Sequence, residues 1–270
     1  RFSQGSKACP DGIPSRQVET PMVEGRMTPG TLDEPVIPSA SFDYRKCVGC
    51  VLHLSRTCRP DVALAVSELS QFLNAPVEKH VRAAKRVLQY LRDTADEGIT
   101  YHPQPNLRRH KVFTFVDADW VGDHHTCKSR SGYFVILNGA CIDWFTRKQT
   151  LTALSSCESE TYACVLAAAC TLHFRAILAE LFAIQPGSSP VFTDNQATLL
   201  NSANDGQSKR SRHFQLRIEF LRDYCRLGRI HLDKVHTDEN MADTLTKPLG
   251  SAKFLKFKRM YMGSVQPTLP

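Results

Sequence analysis

The chain has 270 residues, of which 42% are apolar and 23% charged, with a formal net charge of +7. That length fits one large domain or two modest ones, and the balance of apolar and charged residues excludes a disordered or fibrous chain. No run of about eighteen apolar residues marks a bilayer span, so no membrane partner is expected, and the positive charge suits a polyanion.

The opening Arg1-Phe2-Ser3-Gln4 has neither Met nor an apolar signal core, and reads as a cut from a longer chain. Residues 1–42 are rich in Pro, Gly and Ser and show no sustained period, so they are expected to form a linker or extended arm. A helical region is expected over 43–105. Pro60-Asp61 suits a helix start, and Val62, Val66, Leu69 and Leu73 follow at helical spacing. After Pro76, a second helix carries Val77, Val81, Ala84, Val87, Leu88 and Leu91 on one stripe. Its other face bears Lys79, Arg82, Lys85, Arg86 and Arg92, which reads as solvated surface or as a track for a nucleic-acid backbone. Of the ten cysteines, only Cys47 and Cys50 form a close pair. Without a second pair at finger spacing, they read as residues on one helical face rather than a zinc site.

A mixed α/β domain is expected over 111–250. Val112 to Val116 predict a strand ending on Asp117-Ala118-Asp119-Trp120, and a continuing strand would point Asp119 the same way as Asp117, as a ligand or behind one. Strands over 132–137 and 141–145 follow, joined through Asn138-Gly139, a hairpin turn signal. A long helix is expected over about 158–182, with Tyr162, Val165, Leu166, Ala169, Leu172, Ile177 and Leu181 as its apolar stripe. A short strand, 191–193, leads to Asp194. Helices are expected at 196–202 and 214–227, a strand at 230–235 and a helix from about Asn240. Residues 251–270 form a basic tail in which Lys253, Lys256, Lys258 and Arg259 alternate with aromatic and Met residues, as in a last amphipathic helix.

Four acids stand where such a fold brings them together: Asp117 at a strand end, Glu160 in the first turn of the long helix, Asp194 at another strand end and Asp243 in the last helix. Phosphodiester hydrolysis calls for this kind of grouping. Two hard cations roughly 3.5–4 Å apart activate water and stabilise the leaving oxygen, and Mg²⁺ takes oxygen ligands. For Glu158 and Glu160 the plainer alternative is a helix-dipole role, more so for Glu158. For Asp194 the plainer alternative is an N-cap, and for Asp243 it is a surface acid near Lys247.

The stretches VDADWVGD (116–123), KSRSGY (128–133), LSSCESETYA (154–163), FTDNQATLL (192–200), SKRSRHFQLR (208–217) and VHTDENMADTLTKPL (235–249) resemble the ribonuclease H domain of copia-type LTR retrotransposon Pol polyproteins. The resemblance extends upstream, where 14–22, 43–72 and 80–94 look like the thumb or connection region that follows a reverse transcriptase palm. It implies a ribonuclease H-like mixed five-stranded α/β sheet flanked by helices, preceded by a small helical region. It also implies a metal-dependent endoribonuclease degrading the RNA strand of RNA–DNA hybrids. The implied catalytic and metal ligands are Asp117, Glu160, Asp194 and Asp243, holding two Mg²⁺ ions, with Mn²⁺ as an alternative. Thr161 stands where the family commonly has Tyr, and Gln215 where it commonly has Asp.

Ser129, Ser131, Asn195, Gln196, Arg212 and His213 are expected to touch 2′-OH groups or phosphates. Lys209, Arg210 and Arg217 extend that basic run, and His236 competes with His213 for a role in proton transfer or product release. The expected partners are the hybrid and the polymerase part of the same polyprotein. The expected location is intracellular, in a cytoplasmic retroelement particle and the nucleus. No Tyr-x-Asp-Asp occurs, so DNA polymerisation is not expected. The alternative reading is a catalytically idle nucleic-acid-binding remnant. An integrase-type core is disfavoured because its late acid is Glu, whereas here the late acid is Asp243.

Overall fold

In the computed structural model the described residues are 17–102, 112–123, 125–182, 187–203 and 214–265. They divide into two compact units. One runs up to Gly98 and includes Pro248–Leu255; the other comprises Ile99–Lys247 and the residues from Lys256.

The first unit is helical. Helix α1 (Tyr44–Thr57) begins at Asp43, whose Oδ1 accepts from Lys46 N at 3.0 Å, an N-cap that satisfies one orphan amide. A 3₁₀ turn, Pro60–Val62, leads into α2 (Ala63–Leu69), and α3 spans Glu78–Asp93. Val48, Val51, Val66, Leu69, Val81, Ala84, Val87 and Tyr90 form the core with Phe254. Beneath it lies a buried polar network. Arg59 donates to Asp61 through Nε and Nη2 at 2.9 and 2.8 Å, Tyr90 donates its hydroxyl to Asp61 at 2.6 Å, and Arg59 Nη2 also reaches Thr94.

Two expectations change here. The arm is extended but not free over its described part. Met22 and Thr20 are buried, Arg26 pairs with Glu68 at 2.9 Å, and Ile37 N donates to Pro76 O. The basic face of α3 is also largely engaged within the unit. Lys79 bonds Pro29 O and pairs with Glu34, Arg86 bonds Thr20 Oγ1, and Lys85 lies over the Phe42 ring. Local pairing therefore takes up charges that a nucleic-acid track would need.

The second unit contains one five-stranded sheet in the order β3-β2-β1-β4-β5. Its strands are β1 (Val112–Asp123), β2 (Lys128–Leu137), β3 (Ala140–Lys148), β4 (Ser189–Thr193) and β5 (Ile230–Lys234). β1 pairs antiparallel with β2 and parallel with β4, so the sheet is mixed. Asn138 and Gly139 both have positive φ, 53° and 85°, and close the β2–β3 hairpin as a primed turn. The helices are α4 (Ser156–Phe182), α5 (Gln196–Ala203), α6 (Gln215–Arg226) and the single turn α7 (Asp243–Thr246); a last helix, α8 (Ser251–Tyr261), has its residues up to Leu255 in the first unit and the rest in the second. This mixed sheet with flanking helices is the ribonuclease H-like arrangement that the sequence motifs imply.

Helix α4 packs against the sheet by a face different from the expected stripe. Ala163, Cys164, Ala167, Ala168 and Thr171 are buried, and Thr171 Oγ1 meets Thr114 Oγ1 of β1 at 2.6 Å. Small residues let the helix axis approach the sheet, while Val165, Leu166 and Leu172 flank the contact half-buried. Ala169 and Leu181 are exposed. By length and apolar composition alone α4 also passes for a membrane span, but its small-residue face and Glu160 serve the core and the candidate site of this unit.

Candidate metal centre

β1 runs beyond the expected end on Asp117–Trp120. It continues to Asp123 with an irregularity between Asp119 and Asp123, where Val121 adopts φ 52°. Asp117 therefore sits within the strand, fully buried, opposite Gly132 of β2. Gly132 has a specific role. A Cβ there would lie 2.7 Å from Leu245 Cβ and 2.9 Å from Thr246 Cγ2. The bare glycine lets α7 rest on the sheet beside Asp117, and Thr246 Oγ1 donates a short hydrogen bond to Asp117 Oδ2.

Glu160 comes from the second turn of α4. The start of this helix is built by Ser155, whose Oγ accepts from Glu158 N at 3.1 Å, and by Glu158, whose Oε2 accepts from Leu154 N at 2.7 Å. Glu158 is thus spent on capping, as the plainer reading held, and Glu160 points elsewhere. Gln149 fixes the helix start against β2: its Nε2 donates to Ser131 Oγ at 2.9 Å and to Ser159 O at 3.0 Å. Asp194 follows β4, which lies parallel to β1 with Phe115 opposite Phe192, so the register sets Asp194 level with Asp117 on the neighbouring strand. Asp194 is not the cap of α5. Asn195 is, its Oδ1 accepting from Thr198 N at 2.9 Å, while Asp194 accepts from Thr237 Oγ1 at 2.9 Å.

Carboxylate oxygens of Asp117, Glu160 and Asp194 all lie within 4.8 Å of one another, the one such ligand group among the described residues. Glu160 is only 6% exposed, and its Oε2 has no hydrogen-bond partner. Burial, followed by the Asp117 and Asp194 charges, holds Glu160 well above the usual carboxylate range. Burial likewise pushes Asp117 up to about 6, with Lys247 and Thr246 opposing the shift and Asp243 and Asp194 adding to it. An orphaned, buried carboxylate oxygen facing two more carboxylates makes a donor set that could hold a hard divalent cation.

Asp243, the fourth expected acid, is buried at the first position of α7 but lies outside that trio. It reaches Asp117 through Lys247, whose Nζ is 2.9 Å from Asp243 Oδ1 and 3.2 Å from Asp117 Oδ1. Burial works against the ammonium, but the two aspartates outweigh it and hold the Lys247 pKa above its ordinary value. Asn240 anchors the approach to α7 by donating to Val116 O at 3.0 Å. Lys247, Thr246, Gln149 and Asn240 were not singled out from the sequence. The only available signal was that three of them lie within the motif stretch 235–249.

The expected substrate contacts fare differently. Ser129 and Ser131 are 0% and 2% exposed, and their hydroxyls accept from Val121 N and Gln149 Nε2. In this structure they brace the strands and do not face solvent. Asn195 is half-buried and Gln196 exposed, both beside Asp194. Arg212 and His213, with Lys209 and Arg210, lie outside the described residues. Arg217 covers the Tyr162 ring at 4.9 Å and approaches Glu158 at 3.8 Å. His236 is exposed beside Asp238. Asp119 is outside the trio, across from Arg130 in the strand register.

No family model matches the chain. It is 36% identical over 218 residues, 80% of its length, to the retrovirus-related Pol polyprotein from transposon RE2 of Arabidopsis thaliana, of which the match spans 15%. It is 42% identical over 117 residues to secreted RxLR effector protein 161 of Plasmopara viticola, covering 43% of this chain and 80% of that one. Among solved structures, LC11-RNase H1 in complex with RNA/DNA hybrid aligns with a TM-score of 0.37 and 11% identity, over 50% of this chain and 94% of the other. At that score the fold assignment rests on the sheet order and register above. The motifs, the extended match to the polyprotein and the mixed sheet converge: the chain belongs to the family of copia-type retrotransposon Pol polyproteins, and spans about 15% of the length of the curated relative.

Proposed function

We propose that this chain is a metal-dependent endoribonuclease that cuts the RNA strand of an RNA–DNA hybrid. The observation that carries the reading is the convergence of Asp117, Glu160 and Asp194, with Glu160 Oε2 buried and unpartnered. Three acids this close, two of them buried, repel one another unless a cation joins them. Their all-oxygen donor set suits Mg²⁺ or Mn²⁺ and not a soft metal. Asp243 completes the proposed set from the far side of Asp117.

When bound, two such ions supply an activated water and charge stabilisation at the scissile phosphate. The chain's own contribution is to fix the carboxylates. Gly132 and Asn240 seat α7, Gln149 sets the start of α4, and Thr246 orients Asp117. Asp194 is the partly exposed member of the trio, so the substrate backbone approaches from the side of Asn195 and Gln196. The hybrid as substrate, and the polymerase part of the polyprotein as partner, follow from family membership.

The test is cleavage of a labelled RNA–DNA hybrid by the purified chain with Mg²⁺ or Mn²⁺, beside Asp194→Asn. Single-stranded RNA and duplex RNA run in parallel. Metal-dependent cutting of the hybrid alone, reduced more than about 100-fold in the variant (beyond the usual loss for an outer-shell partner), supports the reading. Tight hybrid binding without cutting in either metal would overturn it in favour of an idle binding remnant.

A further inference from the structure

We infer that Lys247 is a built-in counter-ion that occupies the Asp117–Asp243 side of the site, so that a second divalent cation binds only by displacing it. The inference rests on the metal-site reading above and deepens it. Asp117 has acidic neighbours on two sides. With Glu160 and Asp194 it forms the trio, where the Glu160 oxygen is left without a partner. With Asp243 it forms a pair already bridged by one ammonium, at 3.2 and 2.9 Å. Among the described residues, one half of the acid set thus holds an unpartnered carboxylate oxygen, and the other half is bridged by the chain's own ammonium.

The geometry also allows the lysine to leave. Asp117 and Asp243 side chains are 1% and 2% exposed, whereas that of Lys247 is 35% exposed. Asp243 and Lys247 are four residues apart, but Lys247 follows the last turn of α7 with extended backbone, φ −129° and ψ 139°. Its flexible four-carbon stem can swing the ammonium into water without unwinding the helix. The buried aspartates have no such freedom.

Formal charge points the same way. One divalent ion nearly neutralises four ionised carboxylates and one ammonium. A second would reverse the sign of the site while Lys247 stayed in place. Metal should therefore load in two unequal steps, the first at the trio and the second against the lysine. Lys247 is partly exposed and regains water when it leaves, so the penalty on the second step is that of about one hydrogen bond to a charged group, about 10- to 100-fold in affinity.

The experiment is calorimetric titration of the full chain with Mn²⁺ alone, comparing wild type, Lys247→Met, Lys247→Gln, Lys247→Arg and Glu160→Gln. Circular dichroism melting of each, with and without Mn²⁺, checks folding. The expected result is one tight and one weak ion in wild type and in Lys247→Arg. In Lys247→Met and Lys247→Gln the weak ion tightens about 10- to 100-fold, and Mn²⁺ raises the melting temperature by more than in wild type. A lysine that merely supported the fold would not improve metal affinity when removed. Two equivalent ions in wild type, or an unchanged second affinity in both neutral variants, would overturn the counter-ion role and leave the metal centre standing. No Mn²⁺ binding by wild type, or tight binding untouched by Glu160→Gln, would overturn the metal centre itself.

Discussion

Replacing Gly132 by Ala tests whether α7 is seated on the sheet at contact distance and whether that seat sets the site. A Cβ at this position would lie 2.7 Å from Leu245 Cβ and 2.9 Å from Thr246 Cγ2. Ordinary carbon–carbon contact begins near about 3.5 Å, so both neighbours must retreat by roughly 0.6–0.8 Å. Neither contact is the loose end of a flexible side chain, and Leu245 and Thr246 are both fully buried. The displacement therefore falls on α7 as a unit and carries Asp243 and Thr246 away from Asp117. Overpacking of this kind costs about 1–3 kcal/mol. A misplacement approaching 1 Å costs up to about 100-fold in rate. Gly132→Ala is thus expected to lower the melting temperature and reduce hybrid cleavage about 10- to 100-fold, and Gly132→Val to do more of both. Gly49→Ala is the control. It lies within α1 with nothing within 4 Å of the added carbon, and should stabilise by about 0.5–1 kcal/mol. The assays are circular dichroism melting and the hybrid cleavage rate. Wild-type stability and rate in Gly132→Ala would refute the argument that α7 and β2 meet without slack.

The raised pKa values of Asp117 and Glu160 predict a pH dependence of the metal-free protein. Each binds its proton more tightly folded than unfolded, so stability is greatest at low pH and falls as pH rises from about 4, the ordinary value, to about 6, the value for Asp117. For Asp117 alone the loss is on the order of 3 kcal/mol. Melting temperatures across this window should fall, Mn²⁺ should flatten the fall and Asp117→Asn should reduce it; a rising curve would contradict the buried-acid assignment. In the helical unit, Asp61→Ala leaves the buried Arg59 guanidinium without its main partner. It should cost about 3–5 kcal/mol in urea denaturation. Tyr90→Phe, which removes one hydrogen bond to the same carboxylate, should cost about 1–3 kcal/mol, and equal losses in the two variants would count against the network.

Local pattern carried much of this molecule. Short, nearly continuous apolar runs marked the strands of the sheet, and Asn138-Gly139 marked the hairpin because a primed turn needs positive φ at both residues. Ordered motifs around Asp117, Glu160, Asp194 and Asp243 identified the family and the candidate acids before any distance was known. The apolar run alone ends β1 on Asp117–Trp120, whereas pairing that resumes at Asp123 with Lys128 of β2 carries the strand further.

What only the tertiary structure decided are relations between residues far apart in sequence. The buried face of α4 is its small-residue face, since proximity to the sheet, not side-chain size, selects what is covered. Ser129 and Ser131 are polar in sequence yet enclosed, because neighbouring strands and Gln149 supply their hydrogen bonds. Lys247 lies 130 positions from Asp117, and its ammonium joins that residue to Asp243 only when α7 settles on Gly132. Periodicity records which face of an element is apolar; it holds no record of which distant charge that element will meet, and at this site the electrostatics are set by those meetings.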